Sequence, residues 1–189
     1  MQLTEDERSY LLDLLRDSEA AYLGVVAGLS EQQWTYKPSV DMWSIAEIAQ
    51  HVVVAEVGLF AKLQEALAAP PNPQWETLTA RKAEFIENVM PVPKRKAQAP
   101  ELLRPRNPWP RAEAIARFQK ARARTIAFAA GTGLPLKQHT SEHPFPVFNT
   151  LNAHQWLLYI PLHHMRHTRQ IEAVIATPGF PRILAASTE

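Results

Sequence analysis

The stretch that decides the fold of this 189-residue chain is IPLHHMRHTRQIEAV, at residues 160–174. Five of its residues recur at steps of three and four: Ile160, His163, His167, Ile171 and Val174. That spacing is typical of the inward face of an α-helix. The sequence therefore predicts a long helix, from residues 149–150 to about 176, that carries two histidines toward the protein interior. Pro161 predicts a kink just before them.

Three further segments show helical spacing, at residues 4–28, 44–69 and 111–130. Thr4 with Glu7, and Ser44 with Glu47, have the spacing of capping boxes, which begin helices. No segment shows the alternating pattern of a strand. The sequence thus predicts an all-α four-helix bundle, with residues 1–189 forming a single domain.

The connection between the second and third of these helices is long and rich in proline. Residues 70–110 contain nine prolines, and a short helix is expected only at about 77–90. Its apolar residues favour an ordered crossover packed on the bundle: Trp75, Leu102, Leu103 and Trp109. We expect Trp109 to be substantially buried and Arg104 or Arg106 to approach a pocket. The alternative is that both arginines are solvated.

The composition excludes several functional classes. The net charge of +1 gives no reason to expect a nucleic-acid partner. The absence of cysteine excludes disulfides, thiolate nucleophiles and iron–sulfur clusters. An acidic start and the lack of a long apolar run predict a soluble, cytoplasmic protein without a membrane partner.

The inward-facing histidines indicate a metal site. His51 lies between Ile48 and Val52 on the apolar stripe of the second helix, and His163 and His167 share the face of the last. We predict that these three bind one divalent ion, with zinc, nickel, manganese and iron all acceptable to imidazole. Three ligands would leave a position open for water or substrate. The alternatives are core histidines bonded to carbonyls, or a polar core network without metal.

Several residues could surround such a site. Gln170 continues the ligand face, so it is expected to line the site or bond a ligand's outer nitrogen. Glu47 stands one turn before His51 and could act as a base, although capping at Ser44 is the preferred interpretation. His164 could belong to the pocket, but it points about 100° away from its neighbour, which favours the rim or surface. The histidines at 139, 143 and 154 are interpreted as structural or surface residues.

Two motifs resemble those of the DinB-like superfamily. Residues 29–34, Pro38 and residues 43–51 are similar to its first metal-ligand region, and residues 163–171 to its second. Residues 143–157 resemble its approach to the last helix. The resemblance covers residues 4–176 and implies an up-down-down-up bundle, family ligands at His51, His163 and His167, and often a homodimer.

The resemblance also implies a range of functions. Relatives include putative metal-dependent hydrolases and thiol-dependent enzymes, such as mycothiol-dependent maleylpyruvate isomerase and bacillithiol transferases. We therefore expect a metal-dependent hydrolase or thiol transferase that acts on a small molecule, with a low-molecular-weight thiol as a cofactor in the second case. A binding or stress protein without catalysis is the alternative.

Overall fold

The computed structural model describes residues 2–92 and 100–182. In chain order its helices are α1 (Glu5–Val26), α2 (Glu31–Thr35), α3 (Ile45–Ala68), α4 (Trp75–Thr79), α5 (Lys82–Val89), α6 (Arg111–Gly131) and α7 (Ala153–Ile175). Two 3-10 turns lie at Glu101–Leu103 and Leu136–Gln138, and two short strands are β1 (Thr140–Glu142) and β2 (Thr150–Asn152). The long helices α1, α3, α6 and α7 confirm the predicted four-helix bundle. None of the described helices is long and apolar enough to cross a membrane.

Capping boxes begin four helices: Thr4 with Glu7, Ser30 with Gln33, Ser44 with Glu47, and Asn152 with Gln155. The first and third are the predicted ones. The second begins α2, a short helix that lies between the first two predicted helices. The fourth moves the start of α7 from the predicted residues 149–150 to Ala153, because Asn152 accepts from the N–H of Gln155. From there α7 runs through Pro161 without interruption.

The long helices run up-down-down-up, as two apolar clusters show. One cluster joins the first half of α1 and α7 to the second half of α3 and α6, through Leu11, Leu157, Leu63 and Ala129. The other joins the opposite halves, through Tyr22, Ile171, Ile48 and Phe118. Helices α1 and α7 are therefore parallel to each other and antiparallel to α3 and α6.

Between the two clusters lies a buried polar layer, formed by Ser18, Glu56, Arg122, Thr125 and His164. Along each long helix, its members fall between residues of one cluster and residues of the other. All four long helices contribute to it, so it crosses the whole bundle.

The crossover from α3 to α6 differs in detail from the prediction. The single helix expected at 77–90 is two helices, because Arg81 adopts a left-handed conformation, with a φ of 56°, between α4 and α5. Leu102 is 88% exposed, so its predicted role as an apolar anchor is wrong. Trp109 is partly buried, and its carbonyl accepts a hydrogen bond from the indole of Trp34. The expected order across residues 93–99 lies outside the described residues.

A small hairpin precedes α7. Strands β1 and β2 are antiparallel, with Thr140 opposite Asn152 and Glu142 opposite Thr150. The sequence shows no strand pattern at these positions, because strands of three residues are too short for an alternating pattern to be recognised. The hairpin ends at the capping residue Asn152, and so it fixes where α7 begins.

Candidate metal centre

His51 reaches the interior from the second turn of α3. The capping box of Ser44 and Glu47 sets the start of that helix, with hydrogen bonds of 2.7 and 3.2 Å. His51 is 3% exposed, and its neighbours Ile48 and Val52 are fully buried. The helix start and the apolar face together direct the imidazole toward α7.

His163 and His167 stand one turn apart on α7. Their ring centroids are 4.4 Å apart, and their Nε2 atoms are 3.1 Å apart. The ring of His51 lies 5.3 Å from that of His163 and 4.6 Å from that of His167. One nitrogen from each histidine lies within 4.8 Å of the other two. The structure thus brings together the three predicted ligands in a group that could hold a metal ion.

The nitrogen positions fit a metal. Two imidazole nitrogens bound to one tetrahedral zinc at 2.0–2.1 Å are about 3.3 Å apart. The 3.1 Å between the Nε2 atoms of His163 and His167 is close to that value. Neutral imidazole nitrogens are ligands for several first-row metals, so the donor set does not select one of them.

Hydrogen bonds fix the outer nitrogens of two of the three rings. Nδ1 of His51 lies 2.8 Å from the carbonyl oxygen of Leu103, and Nδ1 of His167 lies 2.8 Å from Oε1 of Gln170. Both oxygens can only accept, so each Nδ1 carries the hydrogen and each Nε2 presents a lone pair. The buried Nδ1 of His163 has no hydrogen-bond partner among the described residues.

Burial keeps these histidines neutral. It lowers the pKa of His51, against a smaller opposing effect of the hydrogen bond to Leu103. Burial, with the nearby His51 adding to it, lowers the pKa of His167 to about 3. The pKa of His163 is held well below its ordinary value by burial and then by His167. Neutral rings keep the lone pairs that a metal requires.

Two aromatic side chains flank the cluster. The indole of Trp43 lies 5.1 Å from the ring of His51, measured between centroids. The phenol ring of Tyr159, one turn before His163, is stacked at 6.1 Å from that imidazole. These apolar faces shield part of the cluster from water.

Among the predicted surrounding residues, Gln170 touches a histidine of the cluster, whereas Glu47 is held elsewhere. The Glu47 carboxylate accepts from the main chain of Ser44 and pairs with Lys37 at 3.0 Å. Burial alone would raise the pKa of Glu47, but these partners hold it below its usual value. Its side chain therefore caps α3, which was the preferred interpretation.

The two crossover arginines lie on the outside. Arg106 is 72% exposed in its side chain and pairs with Glu101 at 3.6 Å. Arg104 is also exposed. Both side chains are therefore exposed, and the contact between the crossover and the cluster is made by the main chain of Leu103.

His164 is not a rim or surface residue, and that preferred interpretation was wrong. Its exposure is 0%, and Nδ1 lies 2.7 Å from a guanidinium nitrogen of Arg122. His164 points into the bundle interior, where the side chain of Arg122 reaches it from α6. His164 thus belongs to the polar layer.

Sequence reasoning missed three features near the cluster: the Leu103 carbonyl, the Trp43 ring and the Glu56–Arg122 ion pair. The carbonyl leaves no signal, since every residue has one. The ion pair did leave a signal. Arg122 shares a helical face with Phe118, and a charge on an apolar stripe indicates a buried partner.

Comparisons with known proteins agree with this geometry. Over 149 residues, which is 78% of this chain and 86% of the relative, the chain is 26% identical to the uncharacterized protein YuaE of Bacillus subtilis (strain 168). Its fold resembles that of YfiT from Bacillus subtilis, with a TM-score of 0.60, 10% identity, and coverage of 92% of this chain and 88% of that one. YfiT is described as a probable metal-dependent hydrolase with an unusual four-helix bundle topology. Residues 14–171 match the family model of the DinB superfamily, and the chain therefore belongs to that superfamily.

Proposed function

We propose that this protein is a metal-dependent hydrolase that holds one divalent ion with His51, His163 and His167. The observation that carries the proposal is the convergence of three neutral imidazoles, two of them with Nε2 lone pairs directed by hydrogen bonds at Nδ1. Three protein ligands leave a coordination position for a reactant, which is the arrangement of catalytic rather than structural zinc sites. The description of YfiT as a metal-dependent hydrolase supports the same chemistry.

The residues of the chain have defined tasks in this proposal. When bound, a divalent ion supplies Lewis acidity that activates water or a thiol near neutral pH. Leu103 orients His51, and Gln170 orients His167. By accepting the Nδ1 hydrogen, Gln170 also increases the basicity of the His167 ring. Trp43 and Tyr159 exclude water from two sides, which strengthens electrostatic interactions inside the cluster.

Thiol transfer is the second candidate. It is favoured by one observation, the absence of cysteine from the chain. A transferase of this kind would take its thiol from a small molecule that occupies the open coordination position.

The test begins with protein made without a histidine tag and purified without a nickel column. Metal analysis is expected to find about one ion per chain, and His51→Ala, His163→Ala and His167→Ala should each lose most of it. His154→Gln is the control, since that residue lies outside the cluster. Stoichiometric metal in all three alanine variants would contradict the ligand assignment.

The reaction type needs a separate measurement. The protein is stripped with a chelator, reloaded with zinc, nickel, manganese or iron, and assayed on panels of esters and amides, with and without a small thiol. Hydrolysis that disappears on stripping and returns on reloading supports the hydrolase. Turnover only in the presence of thiol would support the transferase instead, and a metal-loaded protein inactive in both assays would contradict catalysis.

A further inference from the structure

The polar layer is enclosed by the bundle. Each of its five residues is at most 1% exposed. The guanidinium of Arg122 is its centre: it contacts both carboxylate oxygens of Glu56, at 3.2 and 3.3 Å, and the hydroxyl of Ser18 at 2.8 Å. It also donates to the carbonyl of Leu15 and, at 2.7 Å, to Nδ1 of His164. One side chain of α6 therefore links α1, α3 and α7.

The layer is balanced in charge and specific in direction. A guanidinium can only donate, so Nδ1 of His164 accepts, and the ring is neutral with its hydrogen on Nε2. That nitrogen lies 3.4 Å from Oε2 of Glu56. The hydroxyl of Thr125 donates to the other carboxylate oxygen at 2.7 Å. One carboxylate faces one guanidinium, so the charges balance. The guanidinium is planar and rigid, so its hydrogen bonds form only with partners in a narrow range of positions.

The layer borders the metal centre on both helices that supply ligands. Glu56 lies five residues after His51 on α3, and His164 directly follows His163 on α7. The ring centroids of His163 and His164 are 6.1 Å apart. A shift of α7 along α3 by one residue, about 1.5 Å, would therefore break the hydrogen bonds of the layer and separate the ligand nitrogens together.

Metal coordination and apolar packing differ in their tolerance of such a shift. Metal–ligand distances are held to within about 0.2 Å. The apolar clusters on either side are stabilised by burial, which has no preferred direction. Buried polar groups are best attested as devices that fix the register of packed helices. The layer supplies directional contacts that join the long helices, beside the three histidines.

We propose that the polar layer of Ser18, Glu56, Arg122, Thr125 and His164 is the positioning element of the three-histidine site, which it acts on by fixing the register of α7 against α3. The proposal rests on metal binding as the proposed function. None of these residues binds the ion; they act through the two helices. The expected consequence is that removal of the layer weakens metal binding even where the bundle remains folded.

The main test replaces the charged centre by apolar side chains, in the triple variant Glu56→Leu, Arg122→Met, His164→Leu. Exchange of a buried ion pair for apolar residues is often neutral or stabilising, so the variant is expected to fold. Leu11→Ala, in the apolar cluster away from the site, is the control for lost stability. Zinc affinity is measured by competition with a chromophoric chelator, the geometry by the absorption bands of bound cobalt, and folding by circular dichroism.

The expected result is a helical triple variant whose zinc affinity is lower by about 10- to 100-fold, the range seen when residues that orient ligands are removed. Its cobalt bands should be weaker and broader, while Leu11→Ala keeps wild-type affinity and bands. A folded triple variant with wild-type affinity and cobalt spectrum would overturn the proposal. Failure of the wild-type protein to bind either metal would instead overturn the proposed function itself.

Two single substitutions of Thr125, which disturb packing less, test the proposal if the triple variant does not fold. Thr125→Val removes the hydroxyl that donates to Glu56, and Thr125→Ser keeps it. We expect several-fold weaker zinc binding in the valine variant and near wild-type binding in the serine variant. Equal affinities in the two variants would contradict the positioning role.

Discussion

The main-chain carbonyl of Leu103 accepts a hydrogen bond from Nδ1 of His51, with 2.8 Å between the two atoms. The contact joins the crossover to the candidate metal centre. The next residue back along α3, Gln50, holds the same segment: its amide donates to the carbonyl of Asn107 and accepts from the N–H of Arg106. The crossover is therefore fixed to α3 by two consecutive side chains.

The first prediction concerns this attachment. Gln50→Ala removes two hydrogen bonds, each worth about 0.5–1.5 kcal/mol, and should speed amide exchange in residues 101–107 about five- to tenfold. Hydrogen–deuterium exchange followed by mass spectrometry measures this directly. Gln64→Ala is the matched control, because Gln64 is an exposed glutamine on the same helix. Equal exchange in both variants would show that Gln50 does not hold the segment.

The second prediction concerns Gln170. Gln170→Ala removes the acceptor for Nδ1 of His167 and should weaken zinc binding about tenfold, whereas Gln170→Glu should keep or strengthen it, because a carboxylate accepts the same hydrogen more strongly. Competition with a chromophoric chelator gives both affinities. The exposed residue Glu172 provides the control, as Glu172→Ala. Unchanged affinity in Gln170→Ala would mean that the hydrogen bond has no influence on the ring as a ligand.

The third prediction concerns the stability of the polar layer. Arg122→Met alone leaves the Glu56 carboxylate buried without its guanidinium, which should cost about 3–5 kcal/mol in the free energy of unfolding. The double variant Glu56→Leu, Arg122→Met should lose less than the single variant, because no uncompensated charge remains. Urea denaturation of the wild type and these variants, with Glu56→Leu completing the cycle, measures the coupling. Additive losses would contradict the buried ion pair.

The fourth prediction concerns acid stability and His143. Burial lowers the pKa of His143 to about 4, and its Nδ1 accepts from the N–H of Phe145, which protonation would disrupt. The ordinary value in the unfolded chain is about 6.5, so the folded state binds fewer protons between pH 6.5 and pH 4. The stabilisation is therefore present above pH 6.5 and is lost as the pH falls toward 4.

His143→Asn tests this, because the asparagine oxygen can replace the acceptor without titrating. The difference in the free energy of unfolding between pH 7 and pH 4.5 should shrink by up to about 2 kcal/mol relative to the wild type. Urea denaturation at both pH values gives that difference. An identical pH dependence in the two proteins would exclude His143 as a source of acid sensitivity.

The sequence alone determined the long helices and the relative placement of two of the three candidate ligands. Helix caps and apolar periodicity depend on residues three or four positions apart. The helix starts at Thr4 and Ser44, and the inward stripe that ends at Val174, could therefore be predicted without tertiary information. Helix geometry also places His163 and His167 on one face, whatever the helix packs against. His51 could be assigned to an inward face, but its distance from the pair was not determined.

The tertiary structure decided which groups meet across helices. His164 is buried because Arg122 of α6 lies opposite it, and no spacing within α7 encodes that neighbour. The Leu103 carbonyl is chemically identical to every other carbonyl of the chain, so only the path of the crossover selects it. Arg104 and Arg106 had the right chemistry for a pocket, yet the same path leaves them exposed. Local periodicity fixes the direction of a side chain from its own helix, whereas its partner depends on packing between distant segments.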